Sequence, residues 1–163
     1  MLISVAIMGV LSSIATPPLL NNLHRVKQSE ASSLLSQLAV SAATYKDEFG
    51  AAPTTWEHLS EISSVMTSNG PADGSDGELI PSDTITSANG DFTINRSSGT
   101  GDYFVFTATP TASGTNAAKY NVISCIDLSN GASDIRLGGR NGLATAAATS
   151  DLKCKKITPS PNP

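Results

Sequence analysis

The sequence predicts an α+β fold, in which a long N-terminal helix packs on an antiparallel β-sheet. Three observations lead to this prediction. An apolar run without a charged side chain opens the chain, an apolar stripe at the helical period follows it, and the remainder alternates short apolar segments with Asn-Gly turns. The 163 residues suffice for one helical rod and one head of roughly 110 residues with a single core.

The apolar run extends from Met1 to Leu20, and Arg25 is the first charged residue of the chain. At about 1.5 Å per residue, a helix of this length reaches about 30 Å, the thickness of a bilayer's hydrocarbon core. No Lys or Arg precedes the run, which argues against a secretory signal peptide and leaves a membrane anchor or a buried core helix. We predict a membrane anchor. The positive-inside rule, applied to Arg25 and Lys27 after the run, would nevertheless place the head in the cytoplasm.

The helix is expected to kink near Pro17-Pro18 and then to continue as an amphipathic segment. An apolar stripe with spacings of 4, 4, 3 and 4 residues, on which the head should pack, consists of Leu34, Leu38, Ala42, Tyr45 and Phe49. Gly50 and Pro53 follow as stop signals.

A short second helix is predicted after this stop. Thr54 and Glu57 have the spacing of a capping box, and the helix would run through Trp56, Leu59 and Ile62.

Residues 68–83 are predicted to form a loop, because Gly, Pro, Ser and Asp dominate them. Asp73, Asp76 and Glu78 could bind Ca²⁺, but their spacing misses the EF-hand pattern. We therefore assign no metal site.

Four later segments alternate or bunch apolar residues as strands do, at residues 91–95, 102–109, 119–127 and 134–137. Turns are predicted at the Asn-Gly dipeptides that begin at Asn69, Asn89, Asn130 and Asn141.

Cys125 and Cys154 are the only cysteines. A single pair without CxxC spacing or clustered histidines favours a disulfide over a metal site or a redox pair. The alternative is two reduced thiols that are buried separately.

These elements divide the chain into two predicted parts. Residues 1–23 form the transmembrane half of the helix. Residues 24–163 form a soluble head that includes the amphipathic half of the helix at 24–50, the β-sheet and the disulfide loop at 125–154.

Charge is distributed unevenly along the head. From Asp47 to Asp102 there are ten acidic residues and one basic residue, Arg96, whereas from Lys119 onward six basic residues outnumber three acidic ones. If both sectors lie on the surface, the head is polarised and could meet a copy of itself with opposite patches facing. The alternative is two solvated faces that contact no partner.

No catalytic or cofactor-binding site is predicted. His24 and His58 are the only histidines, and neither has the spacing of a metal-ligand or catalytic-triad motif. The phosphate-binding GxxxxGK[ST] and the nucleophile motif GxSxG are absent from the sequence. We therefore predict no enzyme and no cofactor.

The first fifty residues have a characteristic order. An apolar helix that carries Gly9 is followed by the tripeptide Ala15-Thr16-Pro17 and then by the polar continuation LHRVKQSEASSLLSQLAVSAATYKDEFG. This pattern resembles the N-terminal region of type IV pilins, and the late cysteine pair is similar to the disulfide that closes the head of many of them. Family members also carry a basic leader that ends in Gly, a methylated N-terminal residue that is usually Phe, and a glutamate five residues into the helix. Because this sequence shows none of these, we expect the chain as given to lack the family's first residues.

The resemblance implies a structural subunit of a type IV pilus that serves motility, adhesion or DNA uptake. Such a subunit is held in the inner membrane before assembly. The pilus assembly machinery then polymerises it, with other copies and other pilins, into an extracellular filament. The residues expected in the membrane and then in the filament core are Leu2, Ile3, Val5, Ile7, Gly9, Val10, Leu11, Ile14, Pro17, Pro18, Leu19 and Leu20.

Three alternatives remain open. A pseudopilin of a type II secretion system would share the helix, but such proteins commonly lack the C-terminal disulfide. A minor pilin that receives DNA would need a basic head, whereas Lys153, Lys155 and Lys156 form only a small cluster in a chain of net charge −4, so nucleic acid is not favoured. A membrane-anchored adhesive domain that never polymerises is the third alternative.

Overall fold

A computed structural model of the chain describes residues 2–99, 101–113, 115–139 and 145–154, and for residues 2–21, 115 and 116 it describes the backbone alone. The predicted α+β class is confirmed, because an N-terminal helix packs on an antiparallel sheet.

The first helix, α1, spans Leu2–Phe49. Its helical backbone continues through Pro17 and Pro18, so the paired prolines do not end the helix, and the kink near them stays a prediction. Within the part of the chain that the structure describes, no helix is both long and apolar enough to cross a membrane. The side chains of the expected span lie outside the described ones, and the division of the chain at residue 23 stays a prediction.

The remaining elements are short. The two further helices are α2 (Trp56–Ile62) and α3 (Thr115–Ala118). Single 3₁₀ turns lie at Gly74–Asp76 and Thr149–Asp151. A two-stranded ribbon consists of β1 (Met66–Thr67) and β2 (Gly70–Pro71). The main sheet is antiparallel throughout and has its strands in chain order, β3 (Thr84–Thr86), β4 (Phe92–Ser98), β5 (Tyr103–Pro110), β6 (Val122–Asp127) and β7 (Ala132–Leu137).

The four predicted strand segments are confirmed as β4 to β7, with bounds that differ by at most three residues. Strands β1, β2 and β3 were not predicted, and β2 lies inside the segment that was predicted to be a loop. None of the three is longer than three residues, which is too short to show an alternating pattern.

Three of the four Asn-Gly dipeptides form the predicted turns. Their glycines have positive φ angles of 124° at Gly70, 74° at Gly90 and 71° at Gly131, a region that residues with a Cβ rarely adopt. These turns connect β1 to β2, β3 to β4 and β6 to β7. The fourth dipeptide, at Asn141, lies outside the described residues.

The second helix is confirmed, but its predicted N-cap is wrong by one residue. Thr55, rather than Thr54, has the extended backbone of a cap, and its side chain accepts the N–H of His58 at 3.2 Å. Thr54 instead binds the neighbouring loop, since its carbonyl accepts the N–H of Leu79 at 2.7 Å.

One face of α1 packs on the sheet and buries the predicted stripe at Leu38, Ala42 and Tyr45, with Leu34 partly buried. The prediction is wrong for Phe49, which is 57% exposed because the helix ends there and its ring rests on Tyr45, with centroids 4.5 Å apart. The buried face is also wider than the stripe, since Ala31, Leu35 and Ala39 are buried as well. The core lies between this face, α2 and the inner face of the sheet, and its largest fully buried side chains include Trp56, Phe104, Phe106, Leu35, Leu38, Leu59, Leu79, Ile85 and Ile94.

A buried polar tie connects α1 to the far part of the chain. The side chain of Gln28 is fully buried, and its Nε2 donates to the carbonyls of Asn121 at 3.2 Å and Gly138 at 2.7 Å. Asn121 in turn makes two hydrogen bonds with the backbone of Ala147. Its Nδ2 donates to the carbonyl at 2.8 Å, and its Oδ1 accepts the N–H at 2.7 Å. Two side chains therefore link the helix, the β6–β7 end of the sheet and the segment that leads to Cys154.

Replacing Gln28 should destabilise the head. We expect Gln28→Ala to lower the free energy of unfolding by about 1–3 kcal/mol, because the buried Gly138 carbonyl loses its donor. Gln37→Ala is the matched control, since Gln37 lies on the same helix but makes its hydrogen bonds at the exposed surface, and it should change stability by less than about 0.5 kcal/mol. Urea denaturation of both variants measures the difference, and equal effects would contradict a special role for Gln28.

Candidate functional site

The two cysteines form the predicted disulfide. Cys125 lies on β6, with its Cα 6.0 Å from that of Cys154, and both are buried beside Val105. Because side chains alternate along a strand, Cys125 lies on the opposite face of the sheet from Val122 and Ile126, which pack in the core with α1. The bond therefore ties the C-terminal segment to the outer face of the sheet.

A carboxylate holds the same segment to the edge of the sheet. Asp134, on edge strand β7, accepts the backbone N–H of Lys153 at 2.9 Å and of Ile135 at 2.9 Å. Arg136 donates to it from Nε and Nη2, each at 3.0 Å. The returning chain is therefore held to β7 by the Asp134 side chain, in addition to the disulfide that holds it to β6.

Loss of the disulfide should destabilise the head strongly. We expect the double variant Cys125→Ala/Cys154→Ala to lose about 3 to 4 kcal/mol of unfolding free energy, because the bond closes a loop with a sequence separation of 29. Denaturation with and without reductant should show the same loss in the unmodified chain and no effect of reductant in the variant. A loss below about 1 kcal/mol would contradict this account.

The two histidines take part in packing contacts. The ring of His24 stacks on Tyr120, with centroids 4.9 Å apart, and the ring of His58 stacks on Tyr45 at 4.8 Å. The Nδ1 of His58 also accepts the backbone N–H of Thr54 at 3.2 Å. These contacts place the rings at the junctions of α1 with the head, and they do not bring the two histidines together.

Two of the three carboxylates that were considered for Ca²⁺, those of Asp73 and Asp76, accept hydrogen bonds from within the loop. Asp73 and Asp76 form a reciprocal capping box around the Gly74–Asp76 turn, with Asp73 accepting from Ser75 and Asp76 accepting the N–H of Asp73. The hydrogen bond from the Ser75 hydroxyl, followed by that from its backbone, lowers the pKa of Asp73. Within the described ranges, no group of three His, Cys, Asp or Glu side chains could hold a metal ion.

Arg96, the only basic residue of the acidic sector, binds carbonyl groups of the chain. Its guanidinium donates to Leu79, Gly99 and Tyr103 at 3.1–3.3 Å and lies 4.0 Å from the centre of the Phe104 ring. Burial lowers the pKa of this guanidinium. The side chain therefore fixes the loop between β4 and β5.

Tyr103 should titrate above the ordinary range. Burial, and then the negative charge of Asp127, raise its pKa above 10.0. The phenolate is therefore disfavoured in the folded state, so this contribution to stability is complete below pH 10.0 and is lost as the pH rises through the raised value. Ultraviolet titration of phenolate formation should lose a late-titrating component in Tyr103→Phe, and an unchanged late part of the titration in that variant would contradict the assignment.

Ion pairs within the chain neutralise part of both charged sectors, namely Lys27–Asp91 at 2.5 Å, Lys46–Asp102 at 2.6 Å and Arg136–Asp134 at 3.0 Å. The exposed carboxylates that remain around α2 and the following loop include Glu57, Glu61 and Glu78. Arg140, Lys155 and Lys156 lie outside the described residues. The facing of opposite sectors between two copies stays a prediction.

Exposed aliphatic and aromatic side chains concentrate on α1. Of the six large hydrophobic residues that are exposed in the described part of the chain, four lie on this helix, namely Leu23 at 50%, Val26 at 57%, Val40 at 65% and Phe49 at 57%. The other two are Met66 and Ile80. The helix thus buries one face in the head and carries these exposed apolar side chains singly along its length.

A groove lies beside Val40. It has a volume of about 530 Å³ and lies between α1 and the β6–β7 side of the sheet, where Val40 and Ala43 face Ile126 and Ile135. A smaller groove of about 230 Å³ lies on the other side of α1, beside Leu34, Met66 and Phe92. Sequence reasoning missed both grooves, because it followed only the face of the helix that packs on the head.

The predicted filament-core residues between Leu2 and Leu20 lie where only the backbone is described, so the structure places them on α1 without locating their side chains.

Comparisons with protein-family models, curated proteins and solved structures find no match for this chain. Membership of the pilin family stays a prediction.

Proposed function

We propose that this chain is a structural subunit of a type IV pilus, which polymerises through its N-terminal helix into an extracellular filament. The supporting observation is the uncharged, apolar run of residues 1–20 in the first part of α1, followed on the same helix by exposed apolar side chains at Leu23, Val26 and Val40. Apolar surface of this kind is stabilised when a partner covers it. A helix that packs one face in its own head and carries apolar side chains outside that face is suited to contact sister helices.

The proposal gives the apolar half of the helix two environments. Before assembly it lies in the inner membrane, and after assembly it lies among the same segments of other subunits in the filament core. Other pilins and the assembly machinery are its further partners. The pilus would serve motility, adhesion or DNA uptake.

The head fits an extracellular location. A disulfide persists in oxidising compartments, and the one between Cys125 and Cys154 joins a C-terminal segment that is otherwise held by few side chains. The disulfide also argues against a pseudopilin of the secretion type. A receptor for DNA receives no support from the described surface, on which Lys27, Lys46 and Arg136 are paired with carboxylates.

The proposal predicts the composition and the genetics of surface filaments. Filaments sheared from cells that produce the chain should contain it as their main component, as measured by electron microscopy and mass spectrometry. Leu11→Arg should abolish them, because an unpaired charge would be buried among apolar helices, whereas the matched change Ser13→Ala should not. Filaments that lack the chain, or that persist in Leu11→Arg, would contradict the proposal.

A further inference from the structure

The Asn-Gly dipeptides of the chain can undergo a spontaneous covalent change. The backbone nitrogen of the glycine attacks the side-chain Cγ of the asparagine, and the glycine has no Cβ to obstruct this approach. The new C–N bond closes a cyclic imide as ammonia leaves. Water then opens the imide at either carbonyl and leaves aspartate or isoaspartate in place of asparagine. The overall reaction exchanges ammonia for water and turns a neutral amide into a carboxylate.

Of the three pairs that the structure describes, the one between β3 and β4 has its asparagine side chain held by hydrogen bonds. Nδ2 of Asn89 donates to Oε2 of Glu30 at 2.8 Å. Its Oδ1 accepts the Ser87 hydroxyl at 2.8 Å and the Asp91 N–H at 3.2 Å. The attacking nitrogen is held as well, since the N–H of Gly90 donates to the Ser87 carbonyl at 2.8 Å. Conversion of Asn89 must break these bonds, and its product would bring a second carboxylate beside Glu30.

The turn between β6 and β7 restrains Asn130 in the same way. Its Nδ2 donates to Oδ2 of Asp127 at 3.0 Å, and its Oδ1 accepts the Ala132 N–H at 2.8 Å. The N–H of Gly131 donates to the Asp127 carbonyl at 2.8 Å. Both reacting groups of this pair are therefore fixed within a turn of the main sheet.

Asn69, in the turn between β1 and β2, has an unrestrained side chain. The residue is exposed, and its side chain makes no hydrogen bond to any other described residue. Its backbone is held in the turn, since its N–H donates to the Thr67 hydroxyl oxygen at 3.1 Å. The carboxamide can therefore rotate towards the nitrogen of Gly70 without breaking a hydrogen bond.

The glycine nitrogen of this pair is held less firmly than the other two. Gly70 pairs with Thr67 in a ribbon of two residue pairs, and in the second pair Pro71 has no N–H to donate. The Ser68 N–H donates to the Thr86 carbonyl at 3.0 Å, which joins the ribbon to β3 without engaging either reacting group. A ribbon of this size opens more readily than the five-stranded sheet that carries the other two turns.

We propose that Asn69 is a site of spontaneous deamidation, and that Asn89 and Asn130 are protected from it by their hydrogen bonds. The conversion requires only water, and it adds a carboxylate to the acidic sector between Asp47 and Asp102. The formal charge of the chain, which is −4 before the change, becomes one unit more negative. The modification needs no second copy and is independent of the proposed function.

Incubation of the purified full chain at mildly alkaline pH tests this ranking. Samples taken over time are digested, and mass spectrometry measures the converted fraction at each asparagine. The same incubation in guanidinium chloride is the reference, because unfolding removes the hydrogen bonds and leaves the sequence unchanged. Folding should slow Asn89 and Asn130 at least about tenfold more than Asn69, since only their side chains must break hydrogen bonds before the attack. Equal or greater slowing of Asn69 would overturn the proposal.

Glu30→Ala tests the protection of Asn89. Without the acceptor for Nδ2, Asn89 should convert at least about threefold faster, while Asn69 and Asn130 keep their rates. Glu48→Ala is the matched control, because Glu48 is exposed on the same helix and makes no hydrogen bond among the described residues. An unchanged rate at Asn89, or an equal acceleration at Asn130 that reveals a general loosening of the fold, would overturn the protective role of this bond.

Asn69→Gln identifies the product. Ion-exchange chromatography of the incubated chain should show acidic species that accumulate with time. Asn69→Gln should lose one of these species, because the longer side chain closes a ring with the next nitrogen far more slowly. Asn69→Asp should elute at the position of the lost species from the start. An unchanged profile in Asn69→Gln would overturn the assignment.

Discussion

The burial of one face of α1 against the sheet is the interaction on which the rest of the structure depends. It covers the aromatic core formed by Phe104, Phe106 and Trp56, and it anchors the second half of a helix that begins at Leu2. The fully buried Gln28 fixes the rotation of the helix, because its amide must meet the carbonyls of Asn121 and Gly138. With that face fixed, Val26 and Val40 must project outward.

Residues 145–154, which follow β7, bury Ala147 and Cys154 and are otherwise held by specific ties. Asn121 binds Ala147, Asp134 binds the N–H of Lys153, and the disulfide joins Cys154 to β6. These contacts connect the segment to the last two strands of the sheet. A chain with few aromatic residues thus obtains a defined head from one modest core and a small number of directional bonds.

Local pattern made much of the fold predictable. Strands β4 to β7 follow from alternation and from Asn-Gly turns such as Asn130-Gly131, and the disulfide follows from an isolated pair of cysteines. Gln28 could not be recognised, because its partners are backbone carbonyls 93 and 110 residues away, and backbone groups leave no signature in a sequence. The groove between α1 and the β6–β7 side of the sheet could not be predicted either. Its lining residues Ser124 and Ile135 have the pattern of ordinary strand residues, and only the position of α1 beside them creates the groove.

The central claim of this account is that one helix serves two purposes, since it holds the head on one face and contacts other copies with the rest of its surface. Reconstruction of the assembled protein by cryo-electron microscopy tests that claim most directly. The account predicts that residues 2–21 of every subunit lie at the filament axis, surrounded by the same segments of its neighbours, with the heads outside. Filaments held together by heads alone, with residues 2–21 outside the axis, would contradict it.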